Sequence, residues 1–176
     1  MLPRVLKTER VYQGRAFTVR VDDVEFRPGR STRLEIVEHT GAVTMLPVDH
    51  ENNIWFIRQY RHSAGEFLLE LPAGTLGPGE DPAKGAAREL QEEIGMRPGR
   101  LERILGFWLA PGYSTEFMHV YLAADLSPSQ LAQDEDEVIA VEKVPVARAV
   151  ALAASGELRD SKSLVSVLAA ARRFGW

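Results

Sequence analysis

The chain has no cysteine. A disulfide framework, a thiol nucleophile and a thiolate zinc site are therefore excluded. It has no apolar run of about 18 residues, the length a membrane-spanning helix needs. The opening stretch MLPRVLKTERVYQG holds no apolar core of signal-peptide length. No block of lysine and arginine stands out, and the net charge is −4, so nucleic acid is not expected as the partner. The histidines His39, His50, His62 and His119 are scattered singly, with no spacing of the H-E-x-x-H kind. Internal repeats, low-complexity tracts and interdomain linkers are also absent. What is left is a cytoplasmic globular protein without a membrane partner, and 176 residues suit one domain with a real core.

The chain alternates between two periodicities. Phe17, Val19 and Val21 alternate, as do Val24 and Phe26 after a slip at Asp22-Asp23 that reads as a turn or bulge. Arg27-Pro28-Gly29-Arg30 is a turn, and residues 32–39 alternate again as a hairpin partner. Strands are expected over residues 42–48, 54–60, 67–71, 101–109, 117–124 and 138–144, with turns at 96–99 and a polar loop at 126–137. Pro145 is placed at the first position of a helix ending at Ser155-Gly156. Ser161 is expected to cap a last helix with Leu164, Val167, Leu168 and Ala171 on its apolar face. This order of elements gives a mixed α/β arrangement.

The most informative stretch is Gly74 to Met96. Asp81 suits an N-cap, Pro82 a first helical position and Gly95 a helix stop. Between them Ala83, Ala86, Ala87, Leu90 and Ile94 make one apolar face. Glu89 and Glu93 project about 40° apart, with Glu92 about 60° to the other side of Glu89. Three carboxylates on one short helix repel one another. Arg88 can relieve this at i,i+4 with Glu92, and a hard divalent cation removes it outright. An acidic, solvated helix face is the plain alternative.

Gly74, Glu80, Arg88, Glu89, Leu90, Glu92, Glu93, Gly95 and Met96 fill the spacing GX5EX7REUXEEXGU, with U aliphatic. At these residues the chain resembles the Nudix family. The stretch R-Q-Y-R at Arg58–Arg61, then E-L-P-A-G, and Pro111 sixteen residues after Gly95, resemble the ADP-ribose pyrophosphatase and nucleoside diphosphate sugar branch. The resemblance implies an α/β/α sandwich over residues 41–176, preceded by an antiparallel β extension over 1–40. It implies metal-dependent hydrolysis of a nucleoside diphosphate sugar, ADP-ribose first, into two monophosphates, with Mg²⁺ or Mn²⁺. It makes Glu89, Glu92, Glu93 and the Ala73 carbonyl the expected metal ligands, with Arg88 and Glu80 orienting them. GDP-mannose or a nucleoside triphosphate are alternative substrates, and a non-cleaving nucleotide sensor is an alternative of another class.

Further residues have two readings each. Arg58 and Arg61 either form structural salt bridges or grip phosphate oxygens; the resemblance makes Arg58 a phosphate contact, and Arg61 is carried beside it as a substrate-binding candidate. The acidic run Asp134–Glu137 is either a solvated loop or, by resemblance, a loop supplying a base, Glu137 first and Glu135 second. Glu116 is a further carboxylate candidate. Gly85 either leaves room for phosphates or is a tolerated exposed glycine costing about 1 kcal/mol against alanine. Gly77 stands where many ADP-ribose pyrophosphatases carry an acid that holds the terminal ribose. That branch also dimerises through its N-terminal sheet, which puts Phe17 or Val19 near an interface or a base and makes a homodimer the expectation.

Overall fold

The structure is a computed structural model, and it describes residues 2–132 and 138–176. Glu135 and Glu137 lie outside the described residues. The chain forms two compact units, one of residues 2–41 and 108–117, the other of residues 42–107 and 118–176.

The first unit is an antiparallel sheet of β1 (Arg4–Gln13), β2 (Thr18–Arg27) and β3 (Arg30–Glu38), in that order. Asp22 and Asp23 pair in register with Leu34 and Arg33, so the expected slip there does not occur. The irregularities lie at Val5/Lys7, Arg10/Tyr12 and Glu25/Arg27. Apolar alternation is lost at Asp22 because its buried carboxylate is held by Arg20 at 3.0 Å, a polar residue on an inward face. The 108–117 segment is knitted to the end of β3. Val37 N donates to Tyr113 O at 2.7 Å, and Thr115 N donates to Val37 O at 2.9 Å.

The second unit holds β4 (Ala42–Pro47), β5 (Asn53–Arg61), β6 (Glu66–Glu70), β7 (Ala73–Thr75), α1 (Pro82–Glu93), β8 (Met96–Trp108), β9 (Phe117–Pro128), β10 (Ile139–Pro145), α2 (Val146–Ser155) and α3 (Ser161–Phe174). One sheet runs β7-β4-β9-β8, with β4 and β9 parallel; the other runs β10-β5-β6 and is antiparallel. Every residue of β4 is buried, as expected of a strand covered on both faces. Val43 and Met45 pack with Ala86 and Leu90 of α1 and with its cap residue Ile94, while α3 also contacts β4. The second unit is therefore layered with a helix on each face of its central strand.

Three boundaries differ from the sequence expectation. Residues 96–99 are the start of β8 rather than a turn, because Met96 is held against the core and Pro98-Gly99 sits in an extended strand. Pro145 is the cap of α2 instead of its first residue, and Asp160 caps α3 through Ser163 N. The buried face of α3 is Lys162, Ser163, Ser166, Val167 and Ala170. It is rotated away from the expected stripe, leaving Leu168 exposed. Polar residues occupy this face because Lys162 and Ser163 have partners beneath them.

Candidate active site

The site is built around α1 and the strand end that precedes it. Asp81 accepts hydrogen bonds from Ala83 N and Lys84 N, satisfying two of the free amides of the first turn. Gly95 adopts φ +68° just past the helix, where a Cβ would be strained. The helix thus starts and stops where its sequence specifies, and the carboxylate positions follow.

Arg88 is the hub. Its Nε and Nη2 donate to the two oxygens of Glu80 at 3.1 and 3.2 Å. Its Nη1 donates to Glu89 Oε1 and to Glu92 Oε2, both at 2.7 Å. The hydrogen bonds from Arg88, then one from Gly77 N, pull the Glu80 carboxyl below the usual glutamate range. The same carboxylates, Glu80 foremost, push the Arg88 guanidinium well above its ordinary value against the opposing effect of burial. One guanidinium therefore gathers three acidic side chains that would otherwise repel. Among the described residues, no three acidic or imidazole groups converge as a ready cation cage; Arg88 bridges Glu89 and Glu92 instead.

Glu93 faces inward. It is 2% exposed, not solvent-directed as the amphipathic reading of the helix implied, and its Oε2 accepts from Ala73 N at 2.9 Å. Gly74 follows, and a Cβ there would lie 1.9 Å from the Glu89 carboxylate carbon. The first glycine of the motif is thus the space in which Glu89 sits. Glu89, Glu92 and Glu93 are hard oxygen donors on the one helix α1, and donors of this chemistry suit a divalent ion such as Mg²⁺.

Gly85 serves another purpose from either sequence reading. It is buried, and a Cβ would come within 2.6 Å of Leu76 Cδ2. Its missing side chain admits a core leucine rather than phosphate. Gly77 has ordinary backbone geometry, and a Cβ there would lie 3.6 Å from Glu80.

Arg58 and Arg61 point to opposite faces of β5, being an odd number of residues apart. Arg61 shares its face with Ile57, which packs in the same cluster as Leu90 of α1. It pairs with Glu70 through Nε and Nη2 at 2.8 and 2.7 Å. The Glu70 hydrogen bond raises the Arg61 pKa, opposed by burial and helped by the nearby charges of Asp160 and Glu93. Arg58 instead donates to Glu142 at 2.9 Å and lines a cavity of about 320 Å³ with Arg148, Leu152 and Arg159. The structure does not bring it to α1. Phe17 and Glu116 belong to the first unit. Phe17 is 44% exposed and borders a cavity of about 350 Å³ with Arg10, Arg15, His39 and Thr115. Glu116 is half-buried, its N–H donating to Ser114 Oγ.

The Nudix domain family matches residues 38–165, most of the chain. The chain belongs to the Nudix family. Relatives of this Nudix hydrolase include an ADP-ribose pyrophosphatase of Bacillus subtilis, 36% identical over 93% of this chain and 90% of the relative. A methanol dehydrogenase activator of Bacillus methanolicus has the same identity and coverage. A crystal structure of an ADP compounds hydrolase superposes with a TM-score of 0.89 at 27% identity, over 99% of this chain and 95% of the other. The enzyme is thus a Nudix pyrophosphohydrolase on a mixed α/β Nudix fold, and members of this family generally depend on a divalent metal.

Some site neighbours were missed in the sequence. Lys162, Ser163 and Asp160 meet Glu70 and Leu71 beneath α3. No periodicity marks them, since they are polar residues on a buried helix face.

Proposed function

We propose that this Nudix hydrolase cleaves the pyrophosphate of ADP-ribose to AMP and ribose 5-phosphate, in the cytoplasm, as a homodimer using Mg²⁺ or Mn²⁺. The observation that carries the reading is the joined set of Arg88 with Glu80, Glu89 and Glu92, beside Glu93 on Ala73 N. The two long relatives whose names state ADP-compound hydrolysis support ADP-ribose as the substrate.

Glu89, Glu92, Glu93 and the Ala73 carbonyl would hold the ion. When bound, it supplies charge neutralisation at the diphosphate and activation of water. Arg88 orients the carboxylates from behind, as an outer partner of ligating groups does. Arg61 contacts phosphate oxygens. Glu137 takes the proton of the attacking water, which adds to one phosphorus as the bond from that phosphorus to the bridging oxygen breaks. Phe17 lies near the base, and Glu116 is a further polar contact to substrate.

The test is a phosphatase-coupled phosphate-release panel with ADP-ribose, GDP-mannose, UDP-glucose and ATP in Mg²⁺. ADP-ribose is expected to give the highest kcat/KM. ATP in first place would reject the nucleoside diphosphate sugar reading, and GDP-mannose in first place would reject ADP-ribose.

A further inference from the structure

Four consecutive residues deliver the chain to the motif, and each is pinned. Glu70 is 1% exposed and is held by Arg61 from β5 and by Lys162 from α3. Leu71 N donates to Ser163 Oγ at 2.7 Å. The Pro72 carbonyl accepts from Met45 N at 2.9 Å and from Thr44 Oγ1 at 3.1 Å. Ala73 N donates to Glu93 at 2.9 Å. Two of the four anchors come from the first turn of α3, a helix with no motif residue in it.

That turn also sets the local charge. Lys162 is 8% exposed and bonds both Glu70 and, at 3.0 Å, the α3 cap Asp160. Arg61, Lys162, Glu70 and Asp160 thus form a mostly buried cluster of two cations and two anions that cancel. Glu70 and Lys162 are almost shut off from water, so an imbalance at that end is screened less than at a surface, while the Arg61 side chain reaches solvent. Arg61 lies on the face of β5 that carries Ile57, which packs with Leu90 of α1, and the Glu70 that it holds begins the run ending at Ala73 on Glu93.

We propose that Lys162 is a positioning residue of this enzyme. By sharing Glu70 with Arg61, it leaves the guanidinium charge available to the substrate diphosphate and keeps the cluster from repelling it. The proposal rests on the reading of Arg61 as the phosphate contact. Lys162→Met leaves the cluster at net −1, so phosphate binding weakens. Asp160→Asn leaves it at net +1 with a good cap residue in place, so phosphate binding strengthens. A purely structural role for α3 would give no such opposite signs.

The experiment measures KM and kcat for ADP-ribose, and calorimetric binding of inorganic pyrophosphate, both with Mg²⁺ present, for the wild type and both variants. For Lys162→Met, KM and the pyrophosphate Kd should rise about tenfold with kcat within about twofold. For Asp160→Asn, the Kd should fall about threefold. Unchanged KM and Kd in Lys162→Met, or a fall in kcat alone from a smaller folded fraction, would overturn the proposal. So would a wild type that does not bind pyrophosphate. If Lys162→Met does not fold, the direction of the Asp160→Asn shift decides. Should the wild type bind pyrophosphate but leave ADP-ribose intact, the substrate assignment fails while the binding arm still tests Lys162.

Discussion

Glu93 has the least contact with water of the motif glutamates and so carries two duties. Its carboxylate satisfies the Ala73 amide, and its charge is one of the three proposed for the metal. Glu93→Gln keeps an oxygen acceptor for the amide and removes the charge. Activity should fall by at least about 10²-fold, with the thermal midpoint close to wild type. Wild-type turnover at saturating Mg²⁺ would remove Glu93 from the mechanism. Glu93→Ala should in addition lose about 1 kcal/mol, because the partly buried amide is left unpaired. Asp49 illustrates a charge held by local hydrogen bonds away from the motif. Burial pushes its pKa up, but donations from Asn53 N, Trp55 Nε1, Asn53 Nδ2 and Glu51 N outweigh that and bring it from 3.8 to about 2. A depressed carboxylate pKa favours the folded state above the unfolded pKa and loses that contribution as pH falls through the folded one. Asp49→Asn should therefore be less stable than wild type by about 2 kcal/mol at pH 7. The gap should close between about pH 4 and pH 2 in paired urea unfolding curves. A gap independent of pH would show that the charge is not its source.

At the scale of elements, α1 was the most legible part of the chain. Its cap, first proline, apolar face and stop all lie within one local stretch, so the sequence signals agree with one another and with the fold. Gly85 was legible as an oddity but not as a packing device, since Leu76, which fills its place, approaches from a loop outside the helix. Helix propensity alone predicts that Gly85→Ala gains about 1 kcal/mol. The buried Leu76 methyl at 2.6 Å from the new Cβ makes overpacking the larger effect, about 1–3 kcal/mol of loss. A net gain in the urea midpoint would show that Leu76 moves aside freely. The α3 face was illegible for the opposite reason. Its buried residues include Lys162, Ser163 and Ser166, which a hydrophobic pattern assigns to solvent. The partners of Lys162 and Ser163, Glu70 and Leu71, lie about 90 residues earlier, and no local spacing encodes such a pairing. The split of Arg58 from Arg61 was readable from period-two alternation alone, whereas the side of the sheet that faces α1 was not.

For the whole molecule, the open question set by the fold is what covers β1. All ten of its residues are exposed, and among the described residues it pairs with β2 alone, at the edge of its sheet. Val5, Leu6, Val11 and Tyr12 are each about half exposed. Edge strands in natural proteins are usually blunted by charge, proline, bulges or a covering element. Here Arg4, Lys7, Glu9 and Arg10 supply charge and two register shifts supply irregularity, yet the apolar side chains between them remain uncovered within their unit. The other edge, β3, is instead bonded to the 113–115 segment. A second copy of the chain placed on β1 would bury these apolar groups at roughly 25 cal/mol per Å², and it would use the same patch on both subunits, as a two-fold interface requires. Light scattering at micromolar concentration should therefore give about twice the 19.6 kDa of one chain. Leu6→Glu combined with Val11→Glu places like charges across such an interface and should yield the single-chain mass with unfolding curves near wild type, since neither residue is buried within the chain. A wild-type mass of one chain would reject the dimer. A double variant that stays at twice that mass would move the interface away from β1. If the dimer holds and Phe17 lies near the base, separating the subunits should raise KM for ADP-ribose more than it lowers kcat, because the motif in the second unit is complete within one chain while the surroundings of the base would not be.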